Sequence, residues 1–157
     1  MIDREQMVDW IKTAQSQIGV QEFPKGSNSG KQVEIYLNSV GLGKGYAWCM
    51  AFIYWCVLQT YNKTGAKTPL KRTGGVRDQW IACKSLAVKT PQDGDIFIIV
   101  YPNGTGHAGF VEKVLPNGFI QTIEGNTNSD GSREGYAVCR RTRKTTTITD
   151  FIRLNEF

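Results

Sequence analysis

The chain has 157 residues, two-fifths of them hydrophobic and 21% charged, with a formal net charge of +5. That length buries one core without disulfide staples, so a single domain over residues 1–157 is expected. No apolar run reaches the eighteen or so residues of a membrane span, and the amino-terminal MIDREQMVDWIKTAQSQIGV lacks the continuous apolar stretch of a secretory signal.

Asp3-Arg4-Glu5-Gln6 has the form of a capping box, and Met7, Trp10, Ile11, Ala14 and Ile18 then recur at helical spacing until Gly19. Ser29 with Gln32 repeats that start signal ahead of Val33, Tyr36, Leu37 and Val40, with Gly41 as the stop. Residues 48–59, WCMAFIYWCVLQ, are apolar on nearly every side, the pattern of a helix buried in mid-fold. A short helix is expected over 75–82.

After Pro91 the character changes. DIFIIV, GFVEKVL, GFIQTIE and GYAVCRRTR are short, β-branched and aromatic, separated by Gly, Pro and Asn, and FIRL adds a last candidate strand. Asn117-Gly118 predicts a two-residue hairpin turn. Helices first and antiparallel strands afterwards indicate an α+β fold.

Four cysteines, Cys49, Cys56, Cys83 and Cys139, lack the paired spacing of a zinc site, and the last three sit in apolar sequence expected to bury them. Cys49 differs: it opens the buried helix, where unpaired N–H groups and the helix dipole favour a thiolate and could also stabilise an oxyanion. A thiol nucleophile needs a base, and the chain has one histidine, His107, in NGTGHAGFV. With a two-residue turn, facing residues have numbers summing to 235. His107, Glu124 and Asn126 then share one face of the hairpin, and Asn126 is the diagonal neighbour of His107. A cysteine at a helix mouth, a strand histidine and a polar orienting group form the papain-like arrangement for acyl transfer. Arg140, Arg141, Arg143 and Lys144 read as charge defending a strand edge, without the interleaved aromatics of a nucleic-acid platform.

YAWCMAFIYWC, PQDGDIFII, GHAGFVEKV and IEGNTN, in that order, resemble the CHAP domain (cysteine, histidine-dependent amidohydrolase/peptidase), a branch of the papain-like superfamily. GVQEFPKGSNSGKQVEIYLNSVGLGKG is similar to the helical lead-in of many members, so the resemblance runs from about Ile18 to Arg143. It implies Cys49 as nucleophile, His107 as general base and then acid, Glu124 orienting the imidazolium, Asn126 supporting the site and Tyr46 as an oxyanion-hole hydroxyl. For the third member the resemblance favours Glu124 where the hairpin register favours Asn126; a bulge at Thr105-Gly106 would reconcile them. Some members carry an acidic calcium loop before the nucleophile. SVGLGKGYAWC has no Asp or Glu there, so no calcium, and no other cofactor, is expected.

The activity implied is peptidoglycan hydrolysis at an amide bond, by an endopeptidase or an N-acetylmuramoyl-L-alanine amidase. Acyl transfer, deamidation, action on another amide such as a polyamine conjugate, and a non-catalytic wall-binding module are the alternatives. The implied partner is bacterial peptidoglycan, joined by an immunity protein if the chain is a delivered toxin; nucleic acid and membrane insertion are not expected, and a monomer is. Without a signal, the chain is expected to be made in the cytoplasm and to reach the wall by release or delivery, as phage lysins and secreted toxins do.

Overall fold

The computed structural model describes residues 4–127 and 135–154. Among the described residues, helices α1 (Arg4–Ser16), α2 (Lys31–Ser39), α3 (Cys49–Thr64) and α4 (Val76–Ala82) precede all the strands: β1 (Ala87–Val88), β2 (Ile96–Val100), β3 (Gly106–Leu115), β4 (Phe119–Thr127), β5 (Ala137–Lys144) and β6 (Asp150–Ile152). The strands form one sheet in the order β1-β6-β2-β3-β4-β5, with antiparallel neighbours throughout. This is the α+β, papain-like architecture: amino-terminal helices, one of them buried, against an antiparallel sheet. Among the described residues no helix is long and apolar enough to cross a membrane.

The start of the second helix differs from the sequence reading. Asp3 lies outside the described residues. The second helix is not capped by Ser29, whose hydroxyl bonds instead to the Phe23 carbonyl; Gly30 takes the cap position, and its N–H donates to Glu34 Oε2 at 3.0 Å. A glycine can sit there at φ 124°, leaving Ser29 free to pin the preceding loop. Helix α3 runs five residues beyond the expected Gln59 and stops at Gly65 in the left-handed conformation. The two-residue strand β1 escaped the pattern reading because it is too short to show alternation.

Apolar residues of α1, α2 and α3 meet the inward side chains of the sheet in one core. Tyr36 stacks on Trp48 (centroids 5.8 Å apart) and meets Phe52 edge-on (5.2 Å), and Phe52 meets Phe110 of β3 (6.1 Å). Each such fully buried side chain contributes about 1.5–3 kcal/mol by leaving water, which makes α3 the fixed centre of the fold. Phe97, Ile99, Val111, Ile120 and Phe151 form a smaller cluster outside that core. Cys56 and Cys83 are buried free thiols as expected, but Cys139 is only half-buried: it lies on β5, the edge strand.

The β3–β4 hairpin does not have the two-residue turn. Leu115 faces Phe119 across the three-residue turn Pro116–Gly118, and the register slips again between Val111 and Lys113, leaving Glu112 as a bulge. Facing pairs therefore sum to 234 and then 233. The irregularity that resets the hairpin is at Glu112, not at Thr105-Gly106. Glu112 has its own reason to stand out: it accepts both nitrogens of an Arg140 fork, at 2.6 and 2.8 Å, and bonds from Gln15 and Gln121.

Candidate active site

Cys49 is the first residue of α3, and Trp48, its cap residue, offers no side-chain hydrogen bond to the helix. The cap comes from another part of the chain. Asn126 Oδ1 accepts the Trp48 backbone N–H at 3.1 Å, and Asn126 Nδ2 donates to the Gly135 carbonyl. Asn126 holds a left-handed φ of 57°, at the irregularity where the β4–β5 ladder slips between Glu124 and Thr127. Asn tolerates that conformation better than most residues. The Trp48 ring is fully buried, and its indole N–H donates to Glu22 Oε2 at 2.7 Å, while Glu22 Oε1 accepts the Gly26 N–H. Glu22 thus ties the loop after α1 to the mouth of α3. It went unnoticed in the sequence because a glutamate in a polar loop gives no sign of burial.

Strand β3 pairs with β2 from Gly106 to Phe110, but with β4 only from Phe110 onward. Ala108 therefore keeps a backbone N–H for another partner, and it is one of the groups that lower the pKa of the Cys49 thiol. His107, the neighbouring residue, acts on the same thiol, and each of the two favours the charged form of the other. Its Nε2 lies 2.7 Å from Glu124 Oε1, so Nδ1 is the ring nitrogen left for sulfur. With the register sum at 233, Glu124 becomes the diagonal neighbour of His107. The two-residue slip preserves the face that His107, Glu124 and Asn126 were expected to share, but exchanges which of the two acceptors reaches the imidazole.

Gly109 makes this contact possible. A Cβ at residue 109 would come within 2.5 Å of Phe97 Cε2 and 2.8 Å of Glu124 Cγ, so only hydrogen fits beneath the carboxylate's side chain. Gly125 performs the same service on β4, where a Cβ would meet the Trp48 ring at 2.8 Å and Phe52 Cβ at 2.9 Å.

Glu124 has no exposed surface and four bonds. Beyond His107, it accepts Arg143 Nε on Oε2 (2.6 Å), Arg143 Nη2 on Oε1 (2.7 Å) and the Thr122 hydroxyl on Oε2 (2.6 Å). Arg143 does not decorate the strand edge as expected: its side chain is only 16% exposed and its guanidinium lies 5.4 Å from the Phe97 ring centre. Alternation along β5 is the signal that separates it from Arg140, since odd and even residues face opposite ways.

The charges follow the geometry. Burial alone would raise the Cys49 pKa; the hydrogen bond and charge of His107 and the backbone N–H groups of Ala108 and Met50 outweigh it and bring the thiol below its ordinary value. Burial likewise opposes protonation of His107, but its bonds to Cys49 and Glu124 raise its pKa to about 9. For Glu124, burial is overcome by Arg143 and His107, which lower it to about 2. Cys56, buried without such partners, is pushed well above its ordinary value. A thiolate, an imidazolium and a carboxylate in contact at a helix mouth can attack a carbonyl and deliver a proton to its leaving group. Tyr46, three residues before Cys49, is 56% exposed and outside the core.

No curated protein matches the chain. Two solved structures resemble it over 93% of its length: "The crystal structure of Ly7917" (TM-score 0.55, 14% identity) and "The crystal structure of Ly7917 with the hydrolyzing product of MDP" (TM-score 0.52, 15% identity). The chain spans 61% and 62% of those two, and at such identities the likeness concerns the fold. The CHAP domain model matches residues 41–126, more than half of the chain, from the loop before Cys49 through His107 and Glu124 to Asn126. This chain belongs to the CHAP domain family.

Proposed function

We propose that the chain is a peptidoglycan hydrolase that cuts an amide bond through an acyl-enzyme on Cys49. The observation that carries this reading is the connected line Cys49–His107–Glu124 at the mouth of α3 in a CHAP domain. The structural likeness to a protein solved with the hydrolysis product of MDP supports the substrate class. In the proposed reaction the Cys49 thiolate attacks the amide carbonyl, and the new C–S bond forms as the carbonyl electrons move to oxygen. The imidazolium of His107 gives its proton to the amine as the C–N bond breaks. Neutral His107 then takes a proton from water, whose oxygen attacks the thioester; the acid is released and the ion pair returns. Glu124 keeps the imidazolium oriented through Nε2. Asn126 holds the helix mouth, and Tyr46, exposed and three residues before Cys49, is the candidate oxyanion donor to a bound substrate.

Mass spectrometry of fragments released from purified peptidoglycan tests this. The chain should liberate pieces with one new amine and one new carboxyl end per cut, and Cys49→Ala should release none. Intact peptidoglycan after exposure to the folded chain would overturn the reading.

A further inference from the structure

Neither the CHAP resemblance nor the acyl-enzyme chemistry supplies a role for Arg143. It holds Glu124 with a two-pronged fork, and Thr122 adds a third bond to the same carboxylate. Both Glu124 oxygens are thereby fixed, one of them in line with His107 Nε2. A lone carboxylate at a fully buried position could rotate away from the ring or take up a proton; a fork of two parallel N–H donors prevents the first by geometry and the second by charge. The contacts also form a sequence of alternating sign: Cys49 thiolate, His107 imidazolium, Glu124 carboxylate, Arg143 guanidinium. The four sum to zero, so the ionised site can exist out of water without a net buried charge. Removing Arg143 leaves a net charge of −1, and a buried cluster with an excess negative charge resists forming a further anion on sulfur.

We propose that Arg143 is a positioning residue of this site, fixing Glu124 against His107 and closing a neutral four-charge chain that favours the thiolate of Cys49. Among the described residues, the other groups facing the chain are the Phe97 ring under the guanidinium, Tyr101 beside Arg143, Cys139, which feels Glu124, and Arg141, which acts on Cys139. None of these replaces the fork. The role rests on Cys49 being the nucleophile as read above, but not on the identity of the amide.

The test reads the thiolate directly. Iodoacetamide alkylation of Cys49, followed by peptide mapping from pH 4 to 10, gives the pH at which the thiolate forms, whatever the substrate is. In Arg143→Gln the midpoint should rise by roughly one pH unit, as expected for a unit charge lost from a partly desolvated cluster. Arg143→Lys, which returns the charge without the fork, should recover part of that shift. Because the fork is buried, thermal melts accompany each profile, and Arg143→Lys carries the comparison if Arg143→Gln does not fold. The ring nitrogens of His107, the single histidine, give a second readout by NMR: the Nε2 proton bonded to Glu124 should broaden or shift in both variants. An unchanged alkylation midpoint and unchanged His107 signals in a folded variant would overturn the proposal and leave Arg143 a structural ion pair. Failure of the wild-type chain to cut peptidoglycan, with the midpoint shift intact, would instead overturn only the substrate reading.

Discussion

His107 Nε2 lies 2.7 Å from Oε1 of Glu124, a carboxylate with no exposed surface that is shared with Arg143. A neutral amide of the same shape could accept the imidazole N–H but could not stabilise its positive charge. Glu124→Gln should therefore lower turnover by about 10² or more. Sequence alone would make this substitution thermally mild. The structure changes that expectation, because it leaves the Arg143 guanidinium in a mostly buried place without its counter-charge, at a cost of about 3–5 kcal/mol. Turnover and melting temperature measured on one preparation separate the two effects; an active and equally stable variant would contradict both.

Asn126→Ala should act differently. It unties the Trp48 N–H and the Gly135 carbonyl and leaves the His107–Glu124 contact in place. Stability should fall by about 1–3 kcal/mol for the buried groups left unpaired. Turnover should fall less than in Glu124→Gln. If Asn126→Ala is dead and Glu124→Gln active, the orienting residue is the amide.

Among the four thiols, Cys49 should react first with iodoacetamide near neutral pH. His107 and the helix-mouth N–H groups favour its thiolate, while burial raises Cys56, Cys83 and Cys139 above the ordinary thiol value. Peptide mapping at short times checks this, and equal labelling of all four would refute it.

The pH dependence has a definite sign. Activity should fall as pH rises through about 9, where His107 loses the proton destined for the leaving group. For stability, the raised His107 value contributes stabilisation that is complete below its unfolded value and lost as pH rises through about 9. The lowered Cys49 value contributes the opposite slope, because the folded thiol has already released a proton that the unfolded one retains. The two slopes cancel across neutral pH while the ion pair is intact. In Cys49→Ala the cancelling slope is gone and so is the thiolate that helps to raise His107, so the variant's melting temperature should begin to decline at a lower pH than that of the parent. On the acid side, Glu124 stabilises fully above its unfolded value, and this is lost as pH falls toward about 2.

Gly109→Ala should disable the site without touching a reacting atom. Its methyl group would overlap Phe97 and Glu124 Cγ, and the carboxylate must move for the strand to stay flat. A loss of turnover with the His107 NMR signal displaced is the expected pair of results; a fully active Gly109→Ala would show that the contact yields cheaply.

Hydrolysis should persist in EDTA, since SVGLGKGYAWC offers no acidic ligand beside Cys49. A strict calcium requirement, restored by titration after chelation, would reveal ligands elsewhere.

Much of this molecule is legible in one dimension. The unbroken apolar run after Trp48 makes a buried helix, its first residue places Cys49 at the positive end, and strand alternation puts His107, Glu124 and Asn126 on one face, because these features depend only on local periodicity. Which acceptor meets the imidazole depends on register, and register was set by a three-residue turn and the Glu112 bulge. That bulge is sustained by Arg140 and Gln15, 28 and 97 residues away in the chain. Arg143 looked like any cation on an edge strand until the fold set it over Glu124, and Glu22 looked like loop polarity until Trp48 turned its indole toward it. Periodicity reports which way a side chain points; only the packed chain decides what stands there to meet it, since a hydrogen bond between distant residues leaves no trace in the spacing of either.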